Sequence, residues 1–154
     1  MASSTRALLA VSVALCAAVS LAVTASPVVA DACTRADFEA AVGEAAQALR
    51  DLNQANKPGF QAKLRQLKAK RGWSHDQFLA EAAPIVQDQR IAGYDDQSAA
   101  FLARIEQLGA EGTSAAAPDC SRLAEVRQSM TSLVEVQKAK WAYMFERVGS
   151  ELAR

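Results

Sequence analysis

One histidine, His75, and three cysteines, at positions 16, 33 and 120, are the groups of this chain most reactive near neutral pH. His75 beside Asp76, Asp88, Asp95 or Asp96 would be the raw material of a metal site or an acid–base pair. The spacing supports neither. The chain has no second histidine, those acids are spread over roughly six helical turns, and Asp95 and Asp96 face different ways as helix neighbours. Asp76 has an ordinary role in the first turn of a helix, where negative charge offsets the helix dipole. No Gly-x-Ser-x-Gly elbow, Gly-rich phosphate loop, His-Glu-x-x-His pair or Cys-x-x-Cys-His haem site occurs. The expectation is a protein that is not an enzyme, with no catalytic residues, no bound metal and no cofactor.

The cysteines point to structural chemistry. Cys16 lies inside an apolar N-terminal stretch that is expected to be removed, which leaves the even pair Cys33 and Cys120. In an oxidising compartment the expected product is a Cys33–Cys120 disulfide. A lipid on Cys33 is the alternative, disfavoured by Asp31, an acid where a lipoprotein signal carries a small or apolar residue.

Two further groupings are candidates for recognition. Lys57, Lys63, Arg65, Lys68, Lys70 and Arg71 follow one another with no acid between them, on a segment whose Phe60, Leu64 and Leu67 form a narrow apolar stripe. They read either as a patch for anionic head groups, polysaccharide or an acidic protein, or as a solvated face opposite a stripe the core needs. Late in the chain, Trp141, Tyr143, Met144 and Phe145 cluster behind Lys138 and Lys140. Trp141, Met144 and Val148 fit a core stripe. Tyr143 and Phe145 fall beside it, as a dimer face or partner groove if exposed, or as covered residues if a hairpin over 59–83 packs on them.

These groups need a scaffold, and its first feature is topogenic. Arg6, the apolar run Ala7 to Val23 and the small residues of Pro27-Val28-Val29-Ala30 read as a cleaved secretory signal over residues 1–30, with Asp31 as the first mature residue. Ser12, Ser20, Thr24, Ser26 and Pro27 interrupt the run and argue against a membrane anchor. Cleavage removes one cation and no acid from a chain of 17 cations and 17 acids, leaving 124 residues with net charge about −1. That balance gives no bias toward nucleic acid, and the length suits one helical domain over residues 31–154. The location is then periplasmic or secreted. Neither Asn53 nor Asn56 begins an Asn-x-Ser/Thr site, which leans toward bacterial export.

The periodicity is helical throughout. Thr34-Arg35-Ala36-Asp37 has capping-box spacing, and Phe38, Val42, Ala45, Leu49 and Leu52 recur on one face, up to turn punctuation at Asn56-Lys57-Pro58-Gly59. A short helix then carries Phe60, Leu64 and Leu67 to Gly72, a left-handed cap. Trp73-Ser74-His75-Asp76-Gln77-Phe78 combines a capping box at Ser74 and Gln77 with a Trp73/Phe78 staple. Pro84 is expected to kink or restart the helix after Ala83. The next helix, striped by Tyr94, Ser98, Phe101, Ile105 and Leu108, stops at Gly109, before a small-residue loop to Pro118. The last helix begins at Asp119 to Ser121 and reaches the C-terminus, with Leu123, Val126, Met130, Leu133, Trp141, Met144, Val148 and Leu152 on one broad face.

Both cysteines lie at helix N-termini, so a disulfide places those helices parallel, with starts within about 7 Å. The fold class is an all-α, small antiparallel helical bundle: three long helices, the first going up, the next long one returning and the last going up again between or beside them, plus a short helical hairpin on the far half, stapled by the disulfide.

Trp73-Ser74-His75-Asp76-Gln77 resembles the Leu-Thr-x-x-Gln element of the small helical periplasmic stress chaperones and related metal sensors, with Trp and Ser in place of Leu and Thr and no second copy. That resemblance implies a basic, curved helical surface holding unfolded clients. Every capping box shares the spacing, so no family is assigned. The expected function is an exported interaction or structural module with a protein or envelope component as partner, possible also as a homodimer. The alternative is a carrier or sensor for a small ligand or metal, or a stress-chaperone-like protein.

Overall fold

The computed structural model describes residues 33–114 and 119–154. The expected signal segment, its cleavage site and the 115–118 stretch lie outside the described residues. Four helices follow one another: α1 (Arg35–Arg71), α2 (His75–Val86), α3 (Gln89–Ser114) and α4 (Cys120–Ala153). The fold is the expected all-α bundle, three long helices and a short one, closed by the Cys33–Cys120 disulfide with its Cα atoms 5.4 Å apart.

Side-chain pairs fix the directions. α1 and α4 run parallel, because Cys33 meets Cys120 at one end, Asn53 meets Trp141 midway, and Arg71 meets Glu151 at the other end. α3 runs antiparallel to α4, since the contacts Asp88–Tyr143, Asp95–Lys140, Ser98–Gln137, Arg104–Glu125 and Glu111–Arg122 descend along α4 as they ascend α3.

Helix starts follow from capping. Thr34 Oγ1 accepts from Asp37 N (3.3 Å) and Thr34 N donates to Asp37 Oδ2 (2.6 Å), completing the box. Ser74 and Gln77 do the same for α2 at 3.2 and 2.9 Å. Asp119 accepts from Ser121 N at the head of α4. Gly72, at φ 65°, closes α1 in the left-handed conformation, where a Cβ would be strained.

Three sequence expectations are corrected, each by packing that outweighs a local signal. α1 does not stop at residues 56–59, and residues 60–71 are its continuation rather than a separate helix. A proline inside a helix costs about 3 kcal/mol, but stopping there would expose Phe60 and Leu67, whose burial is worth roughly 1.5–3 kcal/mol each, with Leu64 and the rest of the turn adding to that. Asn56 Nδ2 also donates to Leu52 O (2.7 Å) in the turn before the proline. The break near Pro84 comes after Val86, and the restart belongs to Asp88, whose Oδ1 accepts from Ile91 N at 2.8 Å to start α3. α3 passes Gly109 and continues to Ser114, so the expected loop 109–118 is helical in its first half. A helical glycine costs only about 1 kcal/mol, and the extra turn lays Gly112 on Phe38 and Glu111 beside Arg122.

Two apolar cores lie along the bundle. The first, at the disulfide end, joins Phe38, Ala41 and Ala45 of α1 with Ile105 and Leu108 of α3 and Leu123, Val126, Met130 and Leu133 of α4. Val42, expected on this stripe, is 39% exposed. The second, at the far end, joins Phe60 and Leu67 of α1, Ile85 of α2 and Val148 of α4, with Trp73, Trp141, Met144 and Phe145 against them. Between them sit polar pairs: Trp141 Nε1 donates to Asn53 Oδ1 (3.0 Å) and Gln137 Nε2 to the buried Ser98 Oγ (2.7 Å).

Candidate interaction surface

The far end of α1, with α2 beside it, carries most of the residues singled out from sequence. Fold geometry divides the basic run into three groups. Lys70 and Arg71 are used at the end of α4: Lys70 Nζ donates to Leu152 O (2.6 Å), and Arg71 donates to Glu151 O (3.2 Å) and pairs with Glu151 Oε2 (3.1 Å). Two parallel helices bring their negative C-terminal ends together here, and these cations offset the carbonyl charge. Lys63 is half-buried on the opposite side of Leu64 from the remaining cations.

Those remaining three, Lys57, Arg65 and Lys68, share a flank with Leu64. Lys57 lies seven residues before Leu64 and Lys68 four after, so all three stack along one stripe, with Arg65 next round the helix. Among the described residues no ion pair engages Lys57, Arg65 or Lys68. Lys68 Nζ stands 5.8 Å over the Phe78 ring. Trp73 packs in the second core while Phe78 turns to this flank.

Leu64 and Phe78 belong to a cleft of about 260 Å³ between α1 and α2, lined otherwise by Leu79, Ala82, Ala83, Val86 and Gln87. It contains no acidic side chain. Leu79, 58% exposed, is the most exposed large apolar residue described. The cleft arises because α2 is apolar over more of its circumference than one core contact uses: Ala82 and Ile85 face inward with Val86 against the same core, and the adjacent Leu79 and Ala83 are left on a second face. Adjacent apolar pairs at 78–79, 82–83 and 85–86 were the sequence signal for this second face, and the staple pattern at Phe78 concealed it.

Tyr143 and Phe145 do not form an open face. Phe145 packs edge-on against Phe60, with ring centroids 5.5 Å apart, because the end of α1 covers it. Tyr143 is half-buried, donates to Asp88 Oδ2 (2.6 Å) and lies under Arg90 at 4.5 Å. Arg147 Nη2 donates to Pro84 O (3.0 Å), and its Nε stands 3.5 Å from Asp88 Oδ2 as an ion pair rather than a hydrogen bond. The hydrogen bond from Tyr143, then that from Ile91 N, holds the Asp88 carboxyl below the usual range, and the same Tyr143–Asp88 bond raises the phenol. This network locks the α2–α3 corner to α4.

His75 and Asp76 are exposed at the head of α2, Asp88 is in the corner network, and Asp95 pairs with Lys140. The described residues hold no group of three His, Cys, Asp or Glu side chains placed to bind a metal ion.

Comparison with protein-family models, curated proteins and solved structures finds no match.

A larger groove, about 430 Å³, lies between α1 and α4 at the disulfide end. Ala41, Ala45, Ala48, Met130 and Val134 floor it, and its rim alternates Glu44 and Glu135 with Arg127 and Lys138. The disulfide suits an oxidising, exported compartment. Among the described residues, no helix is long and apolar enough to cross a membrane.

Proposed function

We propose that this protein is a periplasmic or secreted interaction module whose working surface is the α1/α2 flank and whose partner is an anionic envelope component. The supporting observation is charge segregation in a chain with no net excess: residues 57–86 hold six cations against the acids Asp76 and Glu81. Three of those cations, Lys57, Arg65 and Lys68, are in no ion pair among the described residues and share the α1 flank of Leu64, which lines an open apolar cleft. Elsewhere the described cations and acids are largely interleaved in surface pairs such as Arg35–Glu39 and Arg104–Glu125. Single-sign fields of this kind raise association rates and select partners of opposite sign. The expected result of changing Lys57, Arg65 and Lys68 together to Glu is loss of envelope association on fractionation, with the fold retained. Undiminished association in that variant would remove the flank from the account.

The α1/α4 groove favours a second reading, a homodimer. Its alanine floor permits close helix approach, and its rim offers both charge signs, so an antiparallel second copy would place acids opposite cations. Thr131→Arg, at an exposed position of the groove, would abolish such a dimer in native mass spectrometry. A wild type that is monomeric at every concentration removes the reading.

A further inference from the structure

We infer that the α1/α2 flank docks on the surface of an anionic phospholipid bilayer, an assignment that rests on the anionic-partner reading above and names the partner. Two features must be satisfied by one occupant. Lys57 and Lys68 lie along the stripe of Leu64 with Arg65 next round the helix, and none of the three is in an ion pair among the described residues, so they ask for negative charge. Across the cleft from Leu64, and reached by Lys68 at Phe78, the half-buried Phe78 and Ala83 flank Leu79 in an apolar strip, and Leu79 is 58% exposed and asks for a place out of water.

A soluble polyanion such as an acidic polysaccharide answers the charge and leaves the leucine in water. A bilayer answers both, because headgroup phosphates meet the cations while the apolar strip enters the headgroup–acyl boundary. Lys68 joins the two features, since its ammonium stands 5.8 Å over the Phe78 ring at the edge of the strip. The strip is one helical flank, about three turns long, so the protein lies on the surface and does not insert. Glu81 stands away from this strip, in a separate hollow lined by Arg71, Trp73, Arg147 and Glu151. Asp76 is the acid at the head of α2, where it complements the helix dipole.

The test uses the exported protein, with its N-terminus established by mass spectrometry, in co-sedimentation with vesicles. One set is equal parts phosphatidylglycerol and phosphatidylcholine, a second is phosphatidylcholine alone, and soluble dextran sulfate serves as the polyanion. The expected result is binding to the anionic vesicles that weakens as salt rises, with little binding to the neutral ones. Changing Lys57, Arg65 and Lys68 to Gln lowers vesicle affinity on the order of a hundredfold, at about fivefold for each cation. Leu79→Ser lowers vesicle binding several-fold and leaves dextran sulfate binding unchanged. Unaltered vesicle binding in either variant overturns the inference. Binding to dextran sulfate without binding to anionic vesicles also overturns it and leaves the anionic-partner reading in place, while binding to neither removes both.

Discussion

Gly112→Ala puts the structure to a quantitative test, because two effects of opposite sign meet at one methyl group. Alanine in place of glycine inside a helix is worth about 1 kcal/mol in favour of folding. A Cβ at position 112, however, would stand 2.5 Å from Phe38 Cε1 and 2.7 Å from Cζ. Ordinary carbon contacts lie near 3.5–4.0 Å, so the ring would have to retreat by about 1 Å. Phe38 is 2% exposed and enclosed by the first core, which leaves it little room. Overpacking of that degree costs roughly 1–3 kcal/mol, so the net change is between nothing and about 2 kcal/mol of lost stability. Gly93→Ala supplies the internal reference, since nothing lies within 4 Å of a Cβ there and only the helix gain remains. At about 3–5 °C per kcal/mol for a domain of this size, Gly93→Ala should raise the thermal midpoint by a few degrees, and Gly112→Ala should leave it unchanged or lower it by up to about 10 °C. Circular dichroism melts of the two variants read the difference, in which helix propensity cancels and only the contact with Phe38 survives. Equal rises in both would refute the placement of the last turn of α3 against α1.

Cys120→Ser, or reduction, should cost about 4.6 kcal/mol in the chain-entropy account of a loop spanning 87 residues, seen calorimetrically as a midpoint lower by roughly 15–20 °C. An unchanged midpoint would mean that the cysteines are not joined. Leu67→Ala, at a side chain fully buried between α1 and α4, should cost about 2–5 kcal/mol in urea unfolding, whereas a change under 1 kcal/mol would detach residues 60–71 from the core. Acid should destabilise the fold through Asp37, Asp88 and Asp119, which all serve helix starts and whose carboxyls are held below the usual range by bonds from Thr34, Tyr143 and Ser121 respectively. Because folding lowers these pKa values, their contribution is complete above the unfolded value near pH 4 and is lost as pH falls through the lower folded values. Urea midpoints should thus be level from about pH 5 to 7 and fall below about pH 4, and a decline already at pH 6 would point to other groups.

What was legible in the chain was what short-range chemistry decides. Thr34 with Asp37, Ser74 with Gln77 and Asp119 mark three helix starts because a side-chain oxygen satisfies orphan amides within one turn, and Gly72 marks an end because its φ suits no other residue as well. The cysteine pair carried the parallel arrangement of α1 and α4, since a disulfide constrains helices wherever it joins their ends. What was not legible were balances settled between distant elements. Pro58 and Gly109 read as stops, and both are overridden by contacts that no local window contains, Phe60 with Trp141 and Gly112 with Phe38. The division of the basic run was hidden for the same reason, because Lys70 and Arg71 find partners on α4 some 80 residues away. Whether Phe145 was exposed or covered stayed open in the sequence for the same reason, and the continuous α1 decides it by placing Phe60 against the ring.

The central claim, that the α1/α2 flank is where this protein meets its partner, is tested most directly by photocrosslinking in intact cells. A photoreactive amino acid would be placed in turn at Arg65, at Leu79, at Thr131 on the α1/α4 groove, and at the exposed Leu102 of α3. The account predicts adducts with an anionic envelope component from positions 65 and 79 and none from position 102. Adducts confined to position 131, or equal yield from all four positions, would contradict it.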